Sequence, residues 1–171
     1  MNSSNDVNPV ELIRALNPTS AEEIELVAAR MRLTLIEVLG EEAGRSLYSM
    51  DWLSQRVRWH LDPLQAIAQI YLAENPAGHI TGHTILRIER DDAEREFGLF
   101  STTYVEPESR NRGVALRLLV AGEDWMRVQG MTEAVTDTSE TNSPLIRLFR
   151  RRGYEIVHTE GGMIRLARSL S

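Results

Sequence analysis

Between Glu96 and Gln129 the chain changes from one hydrophobic rhythm to another across a single loop. Glu96 to Val105 reads as a strand, whereas Gly113 to Gln129 sets Ala115, Leu118, Leu119, Gly122, Trp125 and Met126 on one helical face, with Gly130 to end it. The junction is Tyr104-Val105-Glu106-Pro107-Glu108-Ser109-Arg110-Asn111-Arg112-Gly113-Val114-Ala115. Gly113 lets a backbone approach a ligand closely at the helix start, where unpaired N–H groups and the positive end of the helix dipole favour an anion. Arg110 and Arg112 add charge beside it. From the residues alone two readings stand: a pyrophosphate cradle, or an arginine-rich turn capping a helix. The spacing is neither a Walker loop nor a dinucleotide fingerprint, since there is no Gly-Lys-Ser/Thr and no triple glycine.

The rest of the chain supplies an order of elements. Val10 to Leu16 reads as a first strand ended by Asn17-Pro18, and Ser20 with Glu23 forms a capping box for a helix carrying Ile24, Val27, Ala28, Met31, Leu35 and Val38. A second helix is expected over about Glu42 to Leu61, with Leu47, Met50, Val57 and Leu61 on one side. Strands follow at Gln65 to Glu74, His79 to Arg90 and Glu96 to Val105, with turns at Asn75-Pro76-Ala77-Gly78 and Asp91 to Glu94. After the Gly113 helix come a strand at Thr132 to Asp137, a helix at Asn142 to Arg151, and strands at Tyr154 to His158 and Met163 to Ala167. The expected fold class is α/β, with a mixed, mostly antiparallel central sheet flanked by about four helices.

The 171 residues suit a single domain over residues 1–171, with residues 1–7 as a frayed tail. The absence of cysteine excludes disulfides, thiolate metal sites and a cysteine nucleophile. No apolar run is long enough to span a bilayer and Met1 to Pro9 lacks a signal-peptide pattern, so a cytoplasmic protein without a membrane partner is expected. A net charge of −6 argues against nucleic acid and suits a cationic small-molecule acceptor. No His/Asp/Glu cluster has metal-ligand spacing, so no metal is expected.

Arg110-x-x-Gly113-x-Ala115 resembles the Q/R-x-x-G-x-G/A signature of the GNAT superfamily of N-acyltransferases. Phe97 to Val105 followed by Glu-Pro-Glu resembles that family's fourth strand and its exit. Asn142, Leu145, Leu148, Phe149, Gly153 and Tyr154 resemble its N-x-x-A-x-x-L/F-Y-x-x-x-G-F segment. The resemblance implies a GNAT-like fold and acetyl-CoA as cosubstrate, with direct transfer of the acetyl group to a primary amine of a small molecule or peptide. The loop Arg110, Asn111, Arg112, Gly113, Val114 and Ala115 would hold the CoA pyrophosphate. The main chain of Tyr104, Val105 and Glu106 would bind the pantetheine arm like an added strand. The fourth strand would splay from the strand at Thr132 to Asp137 and admit the thioester, and Asn142 would contact the pantetheine or acetyl region. Phe149, on the cofactor side, stands where the family often has a tyrosine thought to protonate the thiolate; phenylalanine has no proton to give. This departure keeps open a non-catalytic acyl-CoA-binding regulatory module, and transfer of a longer acyl group is a further alternative.

Attack on a thioester needs a neutral amine, and Glu96, His83 and Asp137 are the candidate bases on strands near the cleft, each with a structural reading as well. Trp52 and Trp59, seven residues apart, make either a core or homodimer stripe or an aromatic wall for the acceptor. Arg147, Arg150, Arg151 and Arg152 form either a solvated helix end or a contact for the CoA 3′-phosphate. Asp51, Asp62, Glu106 and Glu108 are acidic residues available to a cationic acceptor.

Overall fold

The structure, a computed structural model, describes residues 10–171; the expected tail over residues 1–7 lies outside them. A seven-stranded sheet has the order β1-β2-β3-β4-β5-β7-β6. Its strands are β1 (Leu12–Ala15), β2 (Ala68–Glu74), β3 (Ile80–Arg90), β4 (Glu96–Val105), β5 (Glu133–Ser139), β6 (Glu155–Glu160) and β7 (Met163–Ser169). Only β4 and β5 pair in parallel; every other neighbour is antiparallel. The helices are α1 (Ala21–Leu39), α2 (Glu41–Ser46), α3 (Met50–Leu61), α4 (Val114–Val128) and α5 (Ser143–Arg151). This is the expected mixed α/β architecture, with five α-helices among the described residues in place of about four.

The extra helix comes from a break inside the expected 42–61 helix. Gly40, at φ +89°, ends α1 by giving its N–H to Ile36 O. Ser49 takes an extended conformation and caps α3, its Oγ accepting from Trp52 N at 3.0 Å. Leu47 therefore sits between helices and is exposed rather than on a buried side. The Ser20 capping box is half made. Ser20 Oγ accepts from Glu23 N at 3.2 Å, but the Glu23 carboxylate turns away, to Asn17 N at 2.8 Å and to Arg14.

Two apolar cores lie on opposite faces of the sheet. One joins Ile24, Val27 and Ala28 of α1 and Leu53 and Val57 of α3 to Ile70, Leu72 and Ile85. The other joins Leu119 and Met126 of α4 and Phe149 of α5 to Leu86, Phe100, Ala134 and Leu166. Helix α4 lies close on the sheet because glycines face it. A Cβ on Gly122 would sit 2.5 Å from the Phe100 ring, and one on Gly98 2.3 Å from Met126 Sδ. Burial of an apolar side chain of this size contributes about 1.5–3 kcal/mol, and each core holds ten buried residues. One buried charge is fully matched: Glu123 of α4 has a side chain at 0% exposure. It accepts from the Tyr154 hydroxyl at 3.0 Å, Arg152 at 2.9 Å and Arg168 at 3.0 Å. Arg152 is thereby taken into the core edge, while Arg147, Arg150 and Arg151 are exposed.

Candidate active site

A register change opens the sheet. Ile85 of β3 pairs with Thr102 but Leu86 pairs with Phe100, so Ser101 is one residue extra in β4. On the other edge β4 meets β5 only at Gly98, Leu99 and Phe100, opposite Ala134, Val135 and Thr136. Thr136 Oγ1 donates to Phe100 O at 3.1 Å at this last pair. Beyond it β4 stays on β3 as far as Val105, while β5 stays on β7 through Ser139. The two strands diverge, leaving a split whose root is Phe100 and Thr136.

Along the split the edge of β4 pairs with no strand beyond Phe100, and Val105 O accepts from Arg110 Nε at 2.8 Å. Glu106 gives its N–H to Thr81 O at 2.9 Å, so its main chain faces β3. Antiparallel pairing alternates, which turns Tyr104 and Glu106 toward β3 and Thr103 and Val105 toward the split. Of the expected trio, Val105 turns its main-chain N–H toward the split while Tyr104 and Glu106 turn theirs toward β3, and Thr103 shares the side of Val105. The Glu106 carboxylate is also engaged, by His79 at 2.8 Å, Arg30 at 3.1 Å and Ser109 at 3.1 Å. The Tyr104 ring is buried against His83, at 5.9 Å between centroids.

At the end of β4 a short 3-10 turn over Pro107–Ser109 leads to Arg110, Asn111, Arg112 and Gly113. Asn111 and Gly113 have positive φ, +62° and +82°, flanking Arg112. Gly113 is the N-cap of α4, with no side-chain cap, and Arg117 is the first residue to bond back to it. The N–H groups from Gly113 to Leu116 meet no acceptor among the described residues, and left-handed residues turn such groups into one concavity. A positive φ at Gly113 is the physical reason for glycine, and a Cβ there would meet nothing within 4 Å. Val114 is buried and Ala115 half-buried, anchoring the loop on Val105 and Leu118. The two arginines differ. Arg110 bonds Val105 O at 2.8 Å and pairs with Glu37 of α1 at 2.7 Å, whereas Arg112 is exposed and unpaired among the described residues.

Asn142 is the N-cap of α5, and its Nδ2 donates to Thr138 Oγ1 at 3.0 Å. Phe149 is 1% exposed, edge-on to Phe100 at 5.4 Å and to Tyr154 at 4.8 Å, so it packs beneath the root of the split. Tyr154 offers no substitute acid: burial pushes its phenol far up, and Glu123 holds its proton.

The three candidate bases separate. Glu96 begins β4, and Glu96 to Ser101 is five residues of strand, about 16 Å at ~3.3 Å each. Its carboxylate bonds Arg90 at 3.0 Å, so it belongs to the far end of the sheet, which corrects its expected place near the cleft. His83 is 0% exposed, and neither ring nitrogen has a partner. Burial, with Arg30 nearby, pushes it down to about 3, so at neutral pH it is an uncharged ring shut off from solvent. Asp137 lies one residue past the last β4–β5 pair and is exposed. Alternation puts it on the face of Val135, and Arg165 grips it by two bonds of 2.8 Å.

That face, covered farther along by α1 and α3, carries Arg87, which the sequence reading missed, and Arg56 beside the Trp52 and Trp59 pair. Arg87 donates to Ser101 Oγ at 2.8 Å and to His60 Nε2 at 3.2 Å. Arg56 of α3 lies 4.1 Å over the Trp59 ring. The expected core stripe is not formed: the buried residues of α3 are Leu53, Ser54, Val57 and His60, and Trp52 stacks on Tyr48 at 3.9 Å instead. The four acidic residues considered for a cationic acceptor are not gathered here. Glu106 is already paired, Asp62 accepts from Leu64 N at 2.9 Å, and Asp51 and Glu108 are exposed. A surface depression lined by Leu16, His60, Pro63 and Trp125 lies beside the start of β2 and the end of α4.

Comparison with known proteins fits this arrangement. Mycothiol acetyltransferase of Saccharomonospora viridis is 26% identical over 94 residues, covering 53% of this chain and 31% of that protein. Aminoglycoside N(6')-acetyltransferase type 1 of Klebsiella aerogenes is 35% identical over 79 residues, covering 44% of this chain and 52% of that protein. The chain thus spans about a third and about half the length of these two curated relatives. Among solved structures, the PaiA N-acetyltransferase of Thermoplasma acidophilum in complex with coenzyme A shares the fold at a TM-score of 0.74. It is 17% identical, with 93% of this chain and 98% of that chain covered. YncA of Salmonella typhimurium, a structure with acetyl-CoA, aligns at 0.71 with 17% identity and 94% of both chains covered. The model of the acetyltransferase (GNAT) family matches residues 34–154, most of the described chain and all of the split and its loop, and the protein belongs to that family.

Proposed function

We propose that the protein is an acetyl-CoA-dependent N-acetyltransferase that passes the acetyl group directly to an amine. One observation carries this reading: the edge of β4 that pairs with no strand beyond Phe100 is joined by one short loop to the free N–H groups at the start of α4. A pyrophosphate bound at Gly113 to Leu116 would leave an attached arm lying along Thr103 and Val105, with its thioester at the root between Phe100 and Thr136. Main-chain donors supply the anion site and the added-strand edge without charged side chains, which explains how one glycine suffices. The amine approaches from the face of Ser101, Thr102 and Asp137. Its nitrogen bonds to the acetyl carbon, the carbon–sulfur bond breaks with its electron pair on sulfur, and the amine proton passes through Asp137 or water to the thiolate. No dedicated acid is required, because a thiol with a pKa of roughly 8–9, like that of cysteine, is a fair leaving group.

Phe149 favours a second reading, a module that binds acyl-CoA without turnover, since no phenol reaches the root of the split. Calorimetry with acetyl-CoA and a thiol-release assay against amines, amino acids and peptide N-termini separate the two. Binding with release supports transfer, and binding with no release from any acceptor supports the module. Failure to bind would overturn both.

A further inference from the structure

The acidic chain presents arginines where an acceptor would dock. Arg87 reaches Ser101, the extra residue at the root of the split, with a 2.8 Å bond. Glu89 compensates Arg87, and His60, pushed down to about 4 by burial, adds no charge at neutral pH. Arg56 has no carboxylate partner among the described residues, and its guanidinium carbon lies 4.1 Å from the centre of the Trp59 ring. Burial, and the like charge of Arg87 nearby, disfavour its protonated form. A guanidinium stacked by its face keeps its N–H edge free, and that edge is a fork matched to a carboxylate. A half-buried, uncompensated cation beside a second one costs free energy in the empty protein, and an anion offsets that cost. Across the split, the exposed Asp137 carboxylate lies on the same face, bound on one side by Arg165 at 2.8 Å.

Building on the acetyl-transfer reading above, we propose that the acceptor is an amine that also carries a carboxylate, seated by Arg56 and Arg87 while its amine faces Asp137. The amino-acid type of acceptor fits this polarity; a polycation does not. The net charge of −6 pointed the other way, because it averages over the whole surface and does not register a local cation such as Arg56.

The test uses matched probes in the thiol-release assay: phenylalanine and phenethylamine, leucine and isopentylamine, lysine and cadaverine, leucylglycine and its amide. In at least one pair the acid member should show a kcat/KM at least tenfold above its partner. In Arg56→Gln that ratio should fall toward one, through KM, while Arg56→Lys should restore part of it. Unchanged melting temperatures show that both variants are folded. A preference for the uncharged-tail members, or a preference for acids that survives in folded Arg56→Gln, would each overturn the proposal alone, whereas no release from any probe while acetyl-CoA binds would overturn it together with acetyl transfer and leave the binding module. Failure of acetyl-CoA to bind would overturn the acetyl-transfer reading itself.

Discussion

The Nε of Arg110 donates to the carbonyl oxygen of Val105 at 2.8 Å, closing the loop back onto the strand that it leaves. The same guanidinium reaches Glu37 of α1, so one arginine ties β4, the loop and the first helix together. Arg112, two residues on, is exposed. The two should respond differently to mutation. Arg110→Gln should lower the melting temperature as well as CoA affinity. Arg112→Gln should leave the melting temperature alone and weaken CoA binding only, by about 0.3–1 kcal/mol at low salt and less at high salt. Calorimetry at two ionic strengths, with thermal melts, checks both.

Gly113 occupies φ +82° with open space around the missing Cβ. Gly113→Ala should therefore cost about 1–2 kcal/mol of stability from backbone strain alone. Gly113→Glu adds a negative charge beside the anion site and should abolish CoA binding in a folded protein. Unchanged affinity in that variant would remove the loop from the site.

Phe149 is closed in between Phe100 and Tyr154. Phe149→Tyr introduces a hydroxyl into this packing, at a cost of about 1–3 kcal/mol if it finds no partner. Turnover should be kept or raised, since the ring gives up no proton in the wild type. A folded Phe149→Tyr variant with a large loss of kcat would show that the position requires an apolar ring for the reaction.

His83 gives a pH signature. Its folded value, about 3, lies below the ordinary 6.5, so the unfolded chain binds a proton that the folded chain refuses. Stability contributed by the neutral buried ring is whole above about pH 6.5 and is lost as pH falls toward 3. His83→Leu should remove one such proton, making stability less steep between pH 6 and 4 by about 1.4 kcal/mol per pH unit. At pH 7 the variant should be as stable as wild type or more so, because two unpartnered ring nitrogens leave the core. Urea titrations across this range test the sign; a steeper dependence in the variant would refute it.

Asp137 and Glu96 separate by position along the strands. Asp137→Asn should lower kcat and kcat/KM by roughly 10²–10⁴-fold. Glu96→Gln should leave both unchanged, since its carboxylate is bound to Arg90 at the far end of β4. Loss of activity in Glu96→Gln with normal stability would contradict the placement.

The order of elements was legible in the sequence because each depends on local chemistry. Alternation marks β3, helical spacing marks α1 and α4, Ser20 and Gly40 bound α1, and the strand–loop–helix junction at Gly113 requires only neighbouring residues. The break between α2 and α3 was readable in principle from Ser49, but a serine inside an apolar-periodic run competes with the helix signal around it. Three matters were settled only in three dimensions. The extra residue at Ser101 shows itself only when β4 is laid against β3, and it decides that Thr103 and Val105, not Glu106, face the split. The three candidate bases share a strand context in sequence, yet one lies at the wrong end, one is sealed in the core, and one stands at the opening. The arginine pair joins Arg56 of α3 to Arg87 of β3, residues far apart in the chain; sequence fixes their charge, but only packing fixes their distance, and Coulomb energy depends on both.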